Sequence, residues 1–375
     1  MIEPVSFYRA CEDLGVRFFT GVPDSLMKDF CNVLFEKSSN HVIAANEGCA
    51  ISVAAGDYLA TGKVPLVYMQ NSGIGNAVNP LLSLADHDVY GIPMLILIGW
   101  RGQPGTTDEP QHMKQGKVLV PMLDAMGIDW DILPAEEAAS RAVLSEALSK
   151  SLGGNCPQVI LVPAKTFSSF TCDAPSDNKY ELTREAAIKQ IANSLGKDDV
   201  VVATTGKASR ELYEHRMSSG ISGKDFLTVG SMGHASQIAL GIANALPHRT
   251  VYCLDGDGAM IMHLGSLPVI GQLGLVNYRH VLLNNFAHES VGGQPTASAN
   301  TDFPALAKTC GYRNGTSVGS TASLGKSLDS FRQADGPSLL EICISKGSRS
   351  DLGRPRTSPS ENKNAFMDYL KNDAT

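Results

Sequence analysis

Two short stretches carry the residue types that can do chemistry. The first is Gly256-Asp257-Gly258, which ends an apolar run (TVYCLD) and opens a helical pattern; the second is Asn284-Asn285, at the end of the next apolar run (HVLLNN). Glycine lets backbone amides approach a phosphate closely, and a helix start adds positive potential there. Asp257 supplies a hard carboxylate oxygen. Positions 259 to 283, 25 residues, separate the two stretches, about the length of one strand–helix–strand crossover. Such a crossover sets two parallel strand ends side by side. Asp257 and an Asn amide oxygen can then share one hard cation. Magnesium suits that site, because it takes few protein oxygens and fills its remaining positions from diphosphate and water. A plain glycine turn followed by an Asn-rich loop is the competing reading; the pairing at matched strand ends weighs against it. A nicotinamide dinucleotide site is disfavoured, since the third glycine position of G-x-G-x-x-G falls on Ile261.

The elements around these stretches read as α/β. Apolar, β-rich runs begin at Val64, Ile92, Gln158, Asp199, Thr250, His280 and Ser338, with helical patterns between them. Near-continuous Val/Ile/Leu runs indicate strands buried on both faces, hence mainly parallel sheets flanked by helices. The stretch from Thr166 to Lys179 is rich in Ser, Thr, Asp and Pro and reads as a linker. After it, Thr183 can cap a helix with Glu185 in its first turn, ending near Gly196. The expected organisation is a first domain over 1–165, a linker over 166–181 and a second domain over 182–375. In open α/β sheets ligands sit beyond the carboxyl ends of the strands, so strand-end residues are the site candidates.

Composition excludes some classes. The 375 residues carry a net charge of −7 and no basic tract, which argues against a nucleic-acid surface. No apolar run reaches the roughly 20 residues of a membrane span. The first residues read as a helix with Phe7, Ala10, Cys11 and Leu14 on one face, not as a secretion signal. The eight cysteines form no C-x-x-C pair and no zinc spacing, and read as reduced thiols of a cytoplasmic protein.

Gly256-Asp257-Gly258 with Asn284-Asn285 resembles the diphosphate- and metal-binding motif of thiamin-diphosphate enzymes. The resemblance implies that Asp257 and Asn285 are side-chain ligands of Mg2+ and that the backbone carbonyl of Ala287 is the third protein ligand. Ala259 stands where many members carry Ser or Thr, so only its amide can serve the diphosphate. VGSMGHASQIALG resembles the loop that holds the middle of the cofactor. There Gly230 offers a carbonyl to the aminopyrimidine and Met232 is the apolar wedge under the thiazolium, with ordinary core as the lesser alternative for Met232 taken alone. TTGK supplies Gly206 and Lys207 as a further diphosphate loop. Glu47, Ala50, Ala54 and Gly56 match the family pattern E-x-x-A-x-x-x-A-x-G, in which the glutamate faces the pyrimidine ring. In isolation a Glu at a helix start more often complements the helix dipole at a surface. NSGIGNAVNP, with Gly73, resembles the companion glycine loop.

Two such thiamin-diphosphate-binding domains with only a linker between them, and no central third domain, indicate a compact decarboxylase branch. GVPDS, DEPQHMKQG, HESVGGQPT and KGSRSDLGRP together resemble phosphonopyruvate decarboxylases, and related sulfopyruvate decarboxylases share much of this. The resemblance covers nearly the whole chain. It implies non-oxidative decarboxylation of 3-phosphonopyruvate, a small anionic 2-oxo acid, to phosphonoacetaldehyde and CO2 in phosphonate biosynthesis. Asp24 and His112 are then the candidates for proton handling and substrate orientation, against a turn-forming Asp and a surface His as the plainer alternatives. His288, Glu289 and Ser290 follow the metal loop and are placed to touch or gate substrate. Lys114, Lys117, Lys207, Arg349 and Arg354 are the pool of partners for the substrate dianion. In this superfamily the cofactor bridges domains of different subunits, which implies a homodimer or larger homo-oligomer. Sulfopyruvate decarboxylation, carboligation and a cofactor-free regulatory subunit on the same fold stay as rivals; intact Glu47, Asp257 and Asn285 in one chain argue against the last.

Overall fold

The computed structural model describes residues 1–171, 179–221 and 223–371. They form two compact units. Residues 1–171 and His288–Gln294 make the first; the described residues of 179–287 and 295–371 make the second. Most of the stretch read as a linker, residues 172–178, lies outside the described residues. Its opening residues pack onto the first unit: Thr166 and Phe167 are buried, and the Phe170 amide donates to Asp29 Oδ1 at 3.0 Å.

The first unit is built on six strands: β1 (Phe19–Gly21), β2 (His41–Ile43), β3 (Leu66–Gln70), β4 (Met94–Gly99), β5 (Trp130–Ile132) and β6 (Pro157–Val162). They pair in the order β2-β1-β3-β4-β6-β5, every pair parallel. The second holds β7 (Val200–Ala203), β8 (Asp225–Leu227), β9 (Val251–Gly256), β10 (Tyr278–Asn284), β11 (Asn314–Val318) and β12 (Ser338–Cys343). Their order is β11-β12-β10-β9-β7-β8, again all parallel.

Each sheet is covered on both faces, as continuous apolar strands require. In β3, Leu66 and Tyr68 join one core with the helices Pro4–Asp13, Lys28–Lys37 and Glu137–Gly154. Val67 and Met69 point the other way, into a core with the helices Glu47–Thr61 and Pro110–Ala125. In the second unit, Tyr252 and Leu254 of β9 fill one core, Val251 and Cys253 the other. Seven of the strands were legible as apolar runs; β1, β2, β5, β8 and β11 were not. These are 3 to 5 residues long, and four of them are the sheet edges, where one flank needs no partner and the apolar run is short.

Local chemistry sets the helix starts that matter for the site. Asn46 Oδ1 accepts from the Cys49 amide at 2.9 Å and begins Glu47–Thr61. Thr183 Oγ1 accepts from the Ala186 amide at 3.1 Å and begins Arg184–Ser194, as expected from its sequence. No helix among the described residues is long and apolar enough to cross a membrane.

Candidate active site

In the second unit the candidate residues lie at the carboxyl ends of β9 and β10. Leu283 is in register with Gly256, so the strand ends carrying Gly256-Asp257 and Asn284-Asn285 are neighbours, as the crossover length predicted. Asn284 is fully buried and is a structural pin: its Nδ2 donates to Glu341 Oε1 at 2.8 Å, and its Oδ1 accepts from the Phe286 amide at 3.0 Å. Phe286 adopts φ 60°, which turns the chain sharply; Asn285 Oδ1 accepts from the Ala287 amide at 3.1 Å. An antiparallel bridge, Ala287 to Pro295, then closes the loop, and the Thr296 amide donates to Phe286 O at 3.1 Å. The Thr296 hydroxyl in turn donates to Asp257 Oδ2 at 2.5 Å, and Ser298 Oγ donates to the same oxygen at 3.0 Å. Thr296 thereby ties Asp257 to the loop that carries Asn285 and Ala287. Burial pushes the Asp257 carboxyl above its usual range, and the two hydroxyls oppose that shift.

Two further loops border this end of the sheet. Thr205 Oγ1 donates to Val229 O at 2.7 Å, joining the TTGK loop to the Gly230–Met232 loop. Gly206, at φ 93°, turns the chain into the helix Lys207–Ser218. Met232 is half-buried, so it is not ordinary core. Gly233 presses on the helix that follows Asp257: a Cβ there would lie 2.8 Å from Ala259 O.

The first unit holds the acids. Glu47 is buried at the first position of its helix, and its Oε2 accepts from Asn76 Nδ2 at 2.7 Å. Its other oxygen lies against Gly73, where a Cβ would fall 2.2 Å away, so a side chain there would displace the carboxyl. Asp24, fully buried, accepts from Gln70 Nε2 at 2.8 Å and from the Leu26 amide at 3.0 Å. Burial pushes its carboxyl up, against these hydrogen bonds and the nearby Arg101. His112 lies in the first turn of the helix Pro110–Ala125; burial, helped by the charge of Arg101, lowers its pKa. Asn76, Gln70 and Arg101 were missed by the sequence reading. Arg101 joins three loops. Its Nε donates to Asp108 Oδ2 at 2.7 Å, its Nη1 to Ser25 Oγ at 2.8 Å, and its carbonyl accepts from Asn71 Nδ2 at 2.8 Å. No motif spacing marks these residues; Gln70 and Arg101 are polar side chains at strand ends and Asn76 lies in the helix Ile74–Pro80, and they are recognisable only from their partners.

The cation pool divides. Arg349 is surrounded by Glu185, Glu214 and Asp351, so its charge is already spent in ion pairs. Lys114, Lys117 and Arg354 are exposed, and Lys207 is half-buried at a helix start. His288 belongs to the first unit, and burial pushes its pKa down to about 4; Glu289 is half-buried and Ser290 exposed.

Residues 6–128 match the thiamine pyrophosphate enzyme N-terminal TPP binding domain, and residues 204–342 match the C-terminal TPP binding domain of the same enzymes. The chain is 35% identical over 388 residues to phosphonopyruvate decarboxylase of Streptomyces viridochromogenes, covering 99% of this chain and 95% of that protein. It is 35% identical over 390 residues to phosphonopyruvate decarboxylase of Streptomyces hygroscopicus, covering 98% and 94%. Sulfopyruvate decarboxylase of Methanosarcina acetivorans is 26% identical over 379 residues, covering 95% and 94%. Two parallel α/β units with these strand-end acids, taken with these matches, define the class: the chain belongs to the thiamine-pyrophosphate enzymes, in the family that includes the phosphonopyruvate decarboxylases. Thiamin diphosphate is its cofactor. The residues present fit that group, since Asp257, Asn285 and the Ala287 carbonyl are all hard oxygen donors joined by one hydrogen-bonded loop, and Gly73 leaves the Glu47 carboxyl the space it occupies.

Proposed function

We propose that this chain decarboxylates 3-phosphonopyruvate to phosphonoacetaldehyde and CO2, with thiamin diphosphate and Mg2+. The observation that carries the substrate is the 35% identity to phosphonopyruvate decarboxylases along nearly the whole chain. When bound, thiamin diphosphate supplies the electron sink that accepts the charge left as CO2 departs.

The chain's own residues do the rest. Asp257, Asn285 and the Ala287 carbonyl would hold the metal, while backbone amides at Gly206, Gly256, Gly258 and Ala259 would receive the diphosphate. Gly230 and Met232 hold the rings. Glu47, pinned by Asn76, would hydrogen-bond the pyrimidine ring. The reaction consumes one proton, at the carbon that CO2 leaves. Asp24, pushed by burial toward its protonated form, fits the role of proton donor, and His112, held toward its neutral form, fits a second relay or orienting group. Lys114, Lys117, Lys207 and Arg354 are the remaining candidates to meet the phosphonate. The active species is a homodimer or larger homo-oligomer, to be measured by light scattering and by the loss of specific activity on dilution. The seven described cysteines are all free thiols, which supports a cytoplasmic location.

The test is turnover of phosphonopyruvate, sulfopyruvate and pyruvate by protein loaded with thiamin diphosphate and Mg2+, with Glu47→Gln in parallel. Preference for phosphonopyruvate, lost in the variant, is expected. Preference for sulfopyruvate reassigns the substrate and keeps the chemistry. Absence of turnover with all three overturns the decarboxylase assignment.

A further inference from the structure

The Asp24 carboxyl sits in a closed hydrogen-bonded setting. Leu26 N donates to its Oδ2 at 3.0 Å, and Gly99, at the end of β4, makes room for that oxygen: a Cβ there would lie 2.0 Å from it. Gln70, at the end of β3, donates through Nε2 to Oδ1 at 2.8 Å. The opposite end of the same amide, Oε1, accepts from Ser72 Oγ at 2.8 Å. One residue further, Gly73 lies against Glu47, so a single short turn touches both candidate catalytic acids of this unit.

A primary amide has one donor end and one acceptor end. It meets a carboxylate with NH2 and a carboxylic acid with its oxygen. A serine hydroxyl either donates or accepts, so Ser72 satisfies the amide in both orientations. We propose that Gln70, backed by Ser72, is the positioning residue for Asp24: it fixes the carboxyl in place and, by reversing its amide, follows the acid between its ionised and protonated forms. This rests on the reading of Asp24 as a proton-handling group. Two other titratable or charged groups face Asp24. Arg101 favours the carboxylate, and the buried Cys31 thiol, pushed up by desolvation, stays neutral. Burial favours the acid, and the Gln70 donor opposes it.

The experiment compares Gln70→Ala, Ser72→Ala, Asp24→Asn and the Gln70→Ala/Asp24→Asn double variant as holoenzymes, each checked by its melting temperature. The kcat–pH profile with phosphonopyruvate is one readout. A second needs no turnover: 13C NMR of the labelled aspartate carboxyls, with the Asp24 resonance assigned by its loss in Asp24→Asn. Removing the Gln70 donor is expected to move the Asp24 titration, and the matching kcat inflection, to higher pH. It should also lower kcat at neutral pH by roughly 10- to 100-fold, with Ser72→Ala intermediate. The double variant should be no slower than Asp24→Asn. An unmoved Asp24 titration in Gln70→Ala, or additive losses in the double variant, overturns the positioning role while leaving Asp24 catalytic. Full activity of Asp24→Asn removes the reading of Asp24 and the role of Gln70 with it.

Discussion

At the scale of single residues, the groups that decide function are mostly held by neighbours that take no part in it. Thr296 is one: its hydroxyl holds Oδ2 of Asp257, the carboxylate proposed as a metal ligand. Groups that orient a metal ligand typically contribute 10- to 100-fold in affinity. Thr296→Val is therefore expected to raise the Mg2+ dissociation constant by roughly that factor, measured by calorimetry in the presence of thiamin diphosphate; unchanged affinity would mean that Ser298 alone orients Asp257. Gly73 makes the converse point. Gly73→Ala forces a methyl into the Glu47 carboxyl and should cost about 100-fold or more in kcat, with the fold intact by circular dichroism. Gly75→Ala is the control, since nothing lies within 4 Å of a Cβ at that position.

Elements place these residues, and their junctions carry stability that can be read separately. Arg184 of the helix Arg184–Ser194 makes two bonds of 2.9 Å to Glu211 of the helix Lys207–Ser218, the helix that begins just after Gly206. The pair is buried. Arg184→Met takes the guanidinium away from this buried carboxylate and is expected to cost about 3–5 kcal/mol in urea unfolding, whereas Arg184→Met/Glu211→Leu should recover most of it. In the first unit, β2 contributes His41, whose Nε2 lies 2.7 Å from the Tyr68 hydroxyl and whose pKa burial lowers from 6.5 to about 4. Between those values the unfolded chain binds a proton that the folded chain refuses. Stability from this group is thus fully present above about pH 6.5 and falls as pH drops toward 4, by about 2–3 kcal/mol. His41→Gln should flatten that part of the stability–pH curve; an unchanged slope would assign it to other groups.

For the molecule as a whole, binding of the cofactor and metal to the folded chain alone predicts linkage. Thiamin diphosphate with Mg2+ at 100 times its dissociation constant should add about 2.7 kcal/mol to stability, seen as a higher melting temperature that a chelator reverses. Asp257→Ala should abolish the rise without lowering the melting temperature of the free protein comparably. Equal responses in both proteins would place the stabilising ligand elsewhere.

The sequence by itself determined the class of fold, because strands buried on both faces must be apolar throughout, and it foretold that Gly256-Asp257 and Asn284-Asn285 stand at neighbouring strand ends, because one crossover separates them. Asp257 and Asn284-Asn285 stood out as candidates by residue type and spacing, and Glu47 only by its resemblance to the family pattern. Tertiary structure decided what spacing cannot encode. Short edge strands such as β2 and β11 form because a neighbouring strand supplies their hydrogen bonds, not because of an apolar run of their own. Gln70, Asn76 and Arg101 are ordinary polar residues in the chain, and their roles exist only through partners 46, 29 and 7 positions away. Arg349 shows the same limit from the other side: a promising cation in sequence, it is committed to three carboxylates once the chain folds.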